Sequence, residues 1–181
     1  MAQHVVRDWR LGNLATPEKI QKLQTALHAK AKAEPKYRFY SLYDKMIRRD
    51  ILGHAYASCR ANGGAAGVDE EKFEDIEAYG VERWLGELAD TLSQKTYRPQ
   101  ALRRGYIPKP NGKLRPLSIP TIRDRTAMTA AMLILAPIFE ADLPAEQHGY
   151  RPERSALTAV QETRDLLAEG RTQVVDADLS D

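Results

Sequence analysis

The chain has 181 residues, 43% of them apolar, and a formal net charge of +2. That length and composition support one sizeable core or two small ones, and they exclude a disordered chain. Cys59 is the single cysteine, which excludes a disulfide framework and a thiolate metal cluster and fits a reducing, cytoplasmic setting. The first residues, MAQHVVRDWR, lack the apolar run expected of a signal peptide. The longest uncharged stretch, residues 126–139, is interrupted by Pro137 and is too short to span a bilayer.

In chain order, Thr16-Pro17-Glu18 reads as a helix start with a threonine N-cap, followed by Ile20, Leu23 and Leu27 at helical spacing until Pro35. The aromatics Tyr37, Phe39, Tyr40 and Tyr43 precede Met46 and Ile47, which reads as a short helix whose rings pack rather than stack on bases. Asp50 is expected to cap a helix through Cys59 that Asn62-Gly63-Gly64 closes. Residues 63–80 read as a long connection, glycine-rich and then acidic. Nine acids between Asp69 and Asp90 stand against Lys72 and Arg83, and this cluster is read as a solvated surface. Val81, Trp84, Leu85, Leu88 and Leu92 then mark an amphipathic helix.

Residues 97–125 carry Arg98, Arg103, Arg104, Lys109, Lys113, Arg115, Arg123 and Arg125 against Asp124 alone. Two short strands flank Asn111-Gly112, so most of this charge sits on one hairpin. Basic residues and prolines also protect sheet edges, but eight cations exceed that need, and the segment is read as a binder of nucleic-acid backbone or polyphosphate. A two-residue turn would send Lys109 and Arg115 to opposite faces. A three-residue loop, Pro110-Asn111-Gly112 with Gly112 left-handed, pairs Lys109 with Lys113 and Ile107 with Arg115 and gathers all three cations on one face. That register is the one expected here, because a shared ligand requires it.

Thr121 with Asp124 resembles a capping box opening an apolar helix that breaks near Pro137. Residues 144–154 read as an irregular loop, in which Arg151 and Arg154 either tie down a helix end or hold a phosphate, and His148 is structural. Ser155 caps a helix carrying Ala156, Val160 and Leu166, stopped by Gly170. Residues 172–179, with Val174, Val175 and Leu179 around Asp176 and Asp178, read as a strand. Aspartates there either cap a loop or hold a cation such as Mg2+. A strand with nothing after Asp181 to cover it reads as the end of a fragment.

The motifs N-G-G-A-A-G-V-D (62–69), Y-R-P (97–99), Y-I-P-K-P-N-G-K-L-R-P-L-S-I-P-T-I-R-D-R (106–125), P-I-F-E-A-D (137–142), H-G-Y-R-P-E-R-S-A (148–156) and V-V-D-A-D-L (174–179) occur in that order. From about Leu42 to Asp181 the chain resembles the N-terminal part of group II intron-encoded reverse transcriptases (maturases) and their bacterial group II-like relatives. The resemblance implies an α+β, mainly helical fold: an N-terminal helical extension over 1–40, reverse-transcriptase fingers with the basic hairpin over 41–171, and the first palm strand over 172–181.

By the same resemblance, Lys109 and Arg115 match residues that contact the triphosphate of an incoming dNTP, and Arg151 lies in a loop near template and nucleotide. Asp178, with Asp176 as the alternative, matches the first Mg2+-binding catalytic aspartate. Arg98, Arg103, Arg104, Lys113, Arg123 and Arg125 are the expected nucleic-acid contacts, to RNA template and RNA/DNA duplex. Ser118, His148 and Met128 depart from the usual glycine, serine and glutamine. The Y/F-A-D-D palm turn of the family does not occur in the chain. The implied parent is an RNA-directed DNA polymerase, and the chain alone is expected not to polymerise. The alternative is a noncatalytic module that binds group II intron RNA. A generic helical DNA-binding domain is disfavoured, since no helix-turn-helix with a basic recognition helix is visible. Neither oligomeric state nor biological role is legible.

Overall fold

The computed structural model describes residues 14–151 and 154–177. The chain falls into two compact units, Met1–Asp142 and Leu143–Asp181.

The first unit is built from helices α1 (Glu18–Ala33), α2 (Leu42–Met46), α3 (Arg49–Asn62), α4 (Phe73–Tyr79), α5 (Val81–Ser93) and α6 (Ile122–Glu140), with strands β1 (Arg103–Pro108) and β2 (Leu114–Ile119) between α5 and α6. Its core is helical. Ile20 and Leu27 of α1, Ile51 and Leu52 of α3, Ile76 of α4, Trp84 and Leu88 of α5, and Leu133 and Ile134 of α6 bury their side chains in one cluster. The stripe read on α5 is the one buried, because residues three and four apart share a helix face. The aromatic run contributes less: α2 covers only Leu42–Met46, Phe39 packs against the core, and Tyr37 and Tyr40 are exposed.

Several starts and stops differ from expectation. Pro17, not Thr16, occupies the N-cap of α1, and the buried Thr16 hydroxyl finds no hydrogen-bond partner. Asp50 lies inside the first turn of α3, where the Arg48 guanidinium donates to both its oxygens at 2.9 and 2.5 Å. That fork holds the Asp50 carboxyl below its usual pKa. The connection expected over 63–80 contains α4. Phe73 and Ile76 are its only buried residues, and Asp75 accepts from the Lys72 backbone N–H at 2.9 Å.

Helix α6 does not break at Pro137. A proline lacks the N–H that would bond the carbonyl four residues back, here Leu133. That carbonyl instead accepts from Gln24 Nε2 of α1 at 3.0 Å, in a buried contact. One turn further along both helices His28 Nδ1 donates to the Pro137 carbonyl at 3.0 Å, and one turn beyond that Lys32 Nζ donates to Ala141 O at 3.0 Å. A polar stripe on α1, spaced by four residues, thus satisfies carbonyls that the proline and the helix end leave without an intrahelical donor.

The second unit carries α7 (Ala156–Ala168), capped by Ser155, whose Oγ accepts from the Thr158 N–H at 3.2 Å. None of its residues is buried. Residues 172–177, expected to open a palm strand, form none: Val174 and Val175 are 80% and 93% exposed, and the described sheet is the two-stranded β1–β2. A strand is held by its ladder, and among the described residues none pairs with these. Asp178 and the last three residues lie outside the described residues.

Candidate nucleic-acid and nucleotide interface

The hairpin has the three-residue loop. Ile107 pairs with Arg115 and Pro108 with Leu114, Lys109 N–H donates to Lys113 O at 2.7 Å, and Gly112 N–H donates to Lys109 O at 2.9 Å. Gly112 has φ of 78°, the left-handed conformation that closes such a loop. Asn111 Oδ1 accepts from Lys113 N–H at 3.2 Å and fixes the turn further.

Residues directly opposite in an antiparallel pair share a face, and faces alternate along each strand. Arg103, Gly105, Ile107, Lys109, Lys113, Arg115 and Leu117 therefore lie on one face. Arg104, Tyr106, Leu114 and Ser118 lie on the other. Lys109, Lys113, Arg115 and Arg104 form no ion pair or side-chain hydrogen bond among the described residues. Two ammonium groups and one planar fork on a single exposed face can converge on a polyphosphate.

The remaining cations are held by the protein. Arg98 donates to Tyr97 O at 2.9 Å. Arg103 Nε donates to Ala66 O at 3.0 Å. Arg123 lies 5.5 Å from the Trp84 ring centroid and 3.8 Å from a Glu87 oxygen. Arg125 sends Nη1 to Gly63 O at 3.0 Å and Nη2 to Ala65 O at 2.9 Å, with its guanidinium over the Phe73 ring. In the second unit, Arg151 Nη1 donates to Pro144 O and Gln147 O at 2.5 and 3.1 Å, and His148 Nε2 lies 2.7 Å from Glu162. Residues 144–151 are thus tied to one another and, through His148, to the helix that carries Glu162.

Charge counting does not find the residue that roots the hairpin, Asp124. It is buried and accepts from the Tyr97 hydroxyl, from Gln100 N–H at 3.2 Å and from the Thr121 hydroxyl at 2.8 Å, while its own N–H is capped by Thr121 at 3.0 Å. Burial, and then the bond to Asp124, push the Tyr97 phenol above its ordinary pKa. The segment entering β1 is thereby strapped to the start of α6. The signal was a lone acid in a basic stretch, three residues after a capping threonine.

Beside this root lies a cleft of about 540 Å³ lined by the glycine-rich loop 63–67 with Arg60, Lys72, Arg103, Glu70 and Glu74. No group of three or more His, Cys, Asp or Glu that could hold a metal ion occurs among the described residues, and Asp176 is exposed. No described helix is long and apolar enough to cross a membrane.

No protein-family model matches the chain. It is 36% identical over 168 residues to Protein YkfC of Escherichia coli K12, a match covering 89% of this chain and 44% of that protein. It is 36% identical over 126 residues to group II intron-encoded protein LtrA of Lactococcus lactis, covering 68% of this chain and 20% of that one. A putative COX1/OXI3 intron 1 protein of Saccharomyces cerevisiae is 31% identical over 96 residues, 53% of this chain and 11% of its own length. The chain spans less than half the length of each of these relatives. It is homologous, over part of their length, to group II intron-encoded proteins.

Proposed function

We propose that the chain is the fingers portion of an RNA-directed DNA polymerase, binding RNA template and template–primer duplex along the hairpin and the triphosphate of a dNTP at its tip. The observation that carries this reading is the hairpin register, which sets Lys109, Lys113 and Arg115 on one exposed face with no ion-pair or side-chain hydrogen-bond partner among the described residues. The two lysines supply point charges and Arg115 a bidentate fork, and Arg104 with Tyr106 on the other face offers a cation and a ring to a nucleic-acid strand. Nucleotidyl transfer itself is supplied in a longer protein by palm carboxylates and Mg2+. Asp178, with Asp176 as the alternative, is the contribution of this chain to that site, and Asp178→Asn there abolishes primer extension while RNA binding survives.

The test is the salt dependence of binding to a short fluorescent RNA duplex, with inorganic triphosphate as competitor. Affinity falls steeply between about 50 and 200 mM salt, with roughly 0.9 of slope per phosphate contact. Triphosphate competes in a manner that Lys109→Gln and Arg115→Gln abolish and Arg104→Gln preserves. Equal affinity at both salt concentrations sinks the reading. Salt-dependent RNA binding without triphosphate competition replaces it with a noncatalytic intron-RNA module, to which the intron-encoded relatives also point.

A further inference from the structure

We propose that Arg125 and Arg103 are positioning residues, which lock the glycine-rich loop 63–67 to the root of the hairpin and so set the pose of the phosphate-binding tip. The inference rests on the phosphate-binding reading of that tip.

A guanidinium presents its donors in a rigid fork. Arg125 uses its fork on two carbonyls of one loop, Gly63 and Ala65, and Arg103 takes the next, Ala66. Three backbone acceptors in four residues thus meet cations from the two ends of one hairpin-to-helix segment: Arg103 opens β1 and Arg125 lies in the first turn of α6. The Phe73 ring lies 5.5 Å from the Arg125 guanidinium, and Arg125 Nε is buried without an acceptor. A guanidinium so enclosed is poorly placed to follow a mobile phosphate.

The loop is shaped for this contact. A Cβ at Gly64 would come within 2.8 Å of Arg125 Nη1, and the residue has φ of +107°. A Cβ at Gly67 would stand 2.6 and 2.7 Å from the backbone Cα and N of Thr121, the cap of α6. At Gly67 a side chain would meet backbone that cannot yield, whereas at Gly64 it would displace only the end of Arg125, and there the positive φ is what favours glycine. On the other side of the root the Tyr97–Asp124–Gln100 strap holds the segment entering β1. The hairpin is thus fixed at its base on two sides while its tip stays free.

The experiment compares RNA binding across a salt series for the unaltered chain, Arg125→Lys, Arg125→Gln and Arg104→Gln, with amide hydrogen exchange of residues 64–67 read alongside. A direct phosphate ligand removes about one unit of slope when neutralised, and lysine restores it. The clamp predicts otherwise. Arg125→Lys and Arg125→Gln both shift the binding line to weaker affinity by the same factor at every salt concentration, leave its slope unchanged and speed exchange in the loop. Arg104→Gln lowers the slope by about one and leaves exchange alone.

A slope lowered by Arg125→Gln and restored by Arg125→Lys overturns the proposal in favour of a phosphate contact. Faster loop exchange with an unmoved binding line overturns it too, because the contact is then structural only. Should the Arg125 variants fail to fold, Arg103→Lys and Arg103→Gln carry the same comparison from an exposed side chain. A flat salt response in the unaltered chain defeats the phosphate reading of the tip. The clamp is then judged by exchange alone, and unchanged exchange in Arg125→Lys defeats it as well.

Discussion

The tip and the root of the hairpin are built from the same residue types and use them in opposite ways. At the tip, Lys109, Lys113 and Arg115 share an exposed face with no protein partner among the described residues. At the root, Arg103 and Arg125 donate to three backbone carbonyls, and the one acid of the segment is buried under three hydrogen bonds from its neighbours. Coulomb attraction at the tip is screened by salt and by water, whereas the root contacts are short, partly desolvated and directional. A basic stretch is therefore a mixture of ligands and fasteners, and geometry sorts them.

The sharpest way to break that contrast is at Asp124. Asp124→Ala leaves the Tyr97 hydroxyl and the Gln100 N–H without their acceptor and strips the Thr121 hydroxyl of its partner. Each such loss costs about 1–3 kcal/mol, so the variant is expected to lose about 3 kcal/mol or more in urea unfolding. Lys109→Gln and Lys113→Gln at the exposed tip are expected to stay within about 0.5 kcal/mol of the unaltered chain. Equal costs at tip and root would erase the distinction.

A second experiment asks whether fasteners also hold the body. Gln24→Leu removes the donor that serves the carbonyl left open by Pro137, at an expected cost of about 1–3 kcal/mol. In a Pro137→Ala background residue 137 regains its N–H and can bond Leu133 O itself, so the same Gln24→Leu change should cost less. A double-mutant cycle on unfolding free energies reads the difference. Strict additivity would show that the Gln24 contact is not what lets α6 pass its proline.

These particulars show what a linear reading can reach. The hairpin register was legible, because Gly112 can close a three-residue loop and a shared ligand needs Lys109 and Arg115 on one face. The α5 stripe was legible from its spacing, and so was the Thr121 cap. The survival of α6 through Pro137 was not, since the rescuing donor lies 109 residues away. Helix α4 was hidden because only Phe73 and Ile76 in it are apolar enough to bury, amid acids that read as surface. Residues 172–177 carry a strand composition, yet a strand needs a ladder partner that composition cannot supply. The roles of Arg103 and Arg125 were invisible to charge counting, which records a cation without recording what it faces.

Within the tip, a finer contrast separates the two faces. In a longer protein carrying a palm, Arg115→Ala is expected to raise the nucleotide KM and slow extension far more than Arg104→Ala, because Arg115, unlike Arg104, shares a face with Lys109 and Lys113. Arg104→Ala should act chiefly on template affinity. Steady-state extension with varied dNTP at saturating template–primer separates the two. Equal effects on KM would mean that the hairpin does not present one face to the nucleotide.

The smallest expected effect concerns pH, and it contrasts the helical body with the hairpin. His54 on α3 is buried, its Nε2 has no hydrogen-bond partner, and burial lowers its pKa below the ordinary value of about 6.5. A folded-state pKa below the unfolded one means that the unfolded chain binds the proton more readily. The stability associated with neutral His54 is therefore fully present above about pH 6.5 and declines as pH falls from there toward the depressed folded value. Thermal unfolding between about pH 7.5 and 5 should show a falling midpoint in the unaltered chain and a flatter line in His54→Gln, which is neutral throughout. RNA affinity at fixed salt should hold over the part of that range in which both proteins remain folded, since His54 lies on α3 in the helical body and not on the hairpin. A His54→Gln line as steep as that of the unaltered chain would place the pH response of the body in other groups.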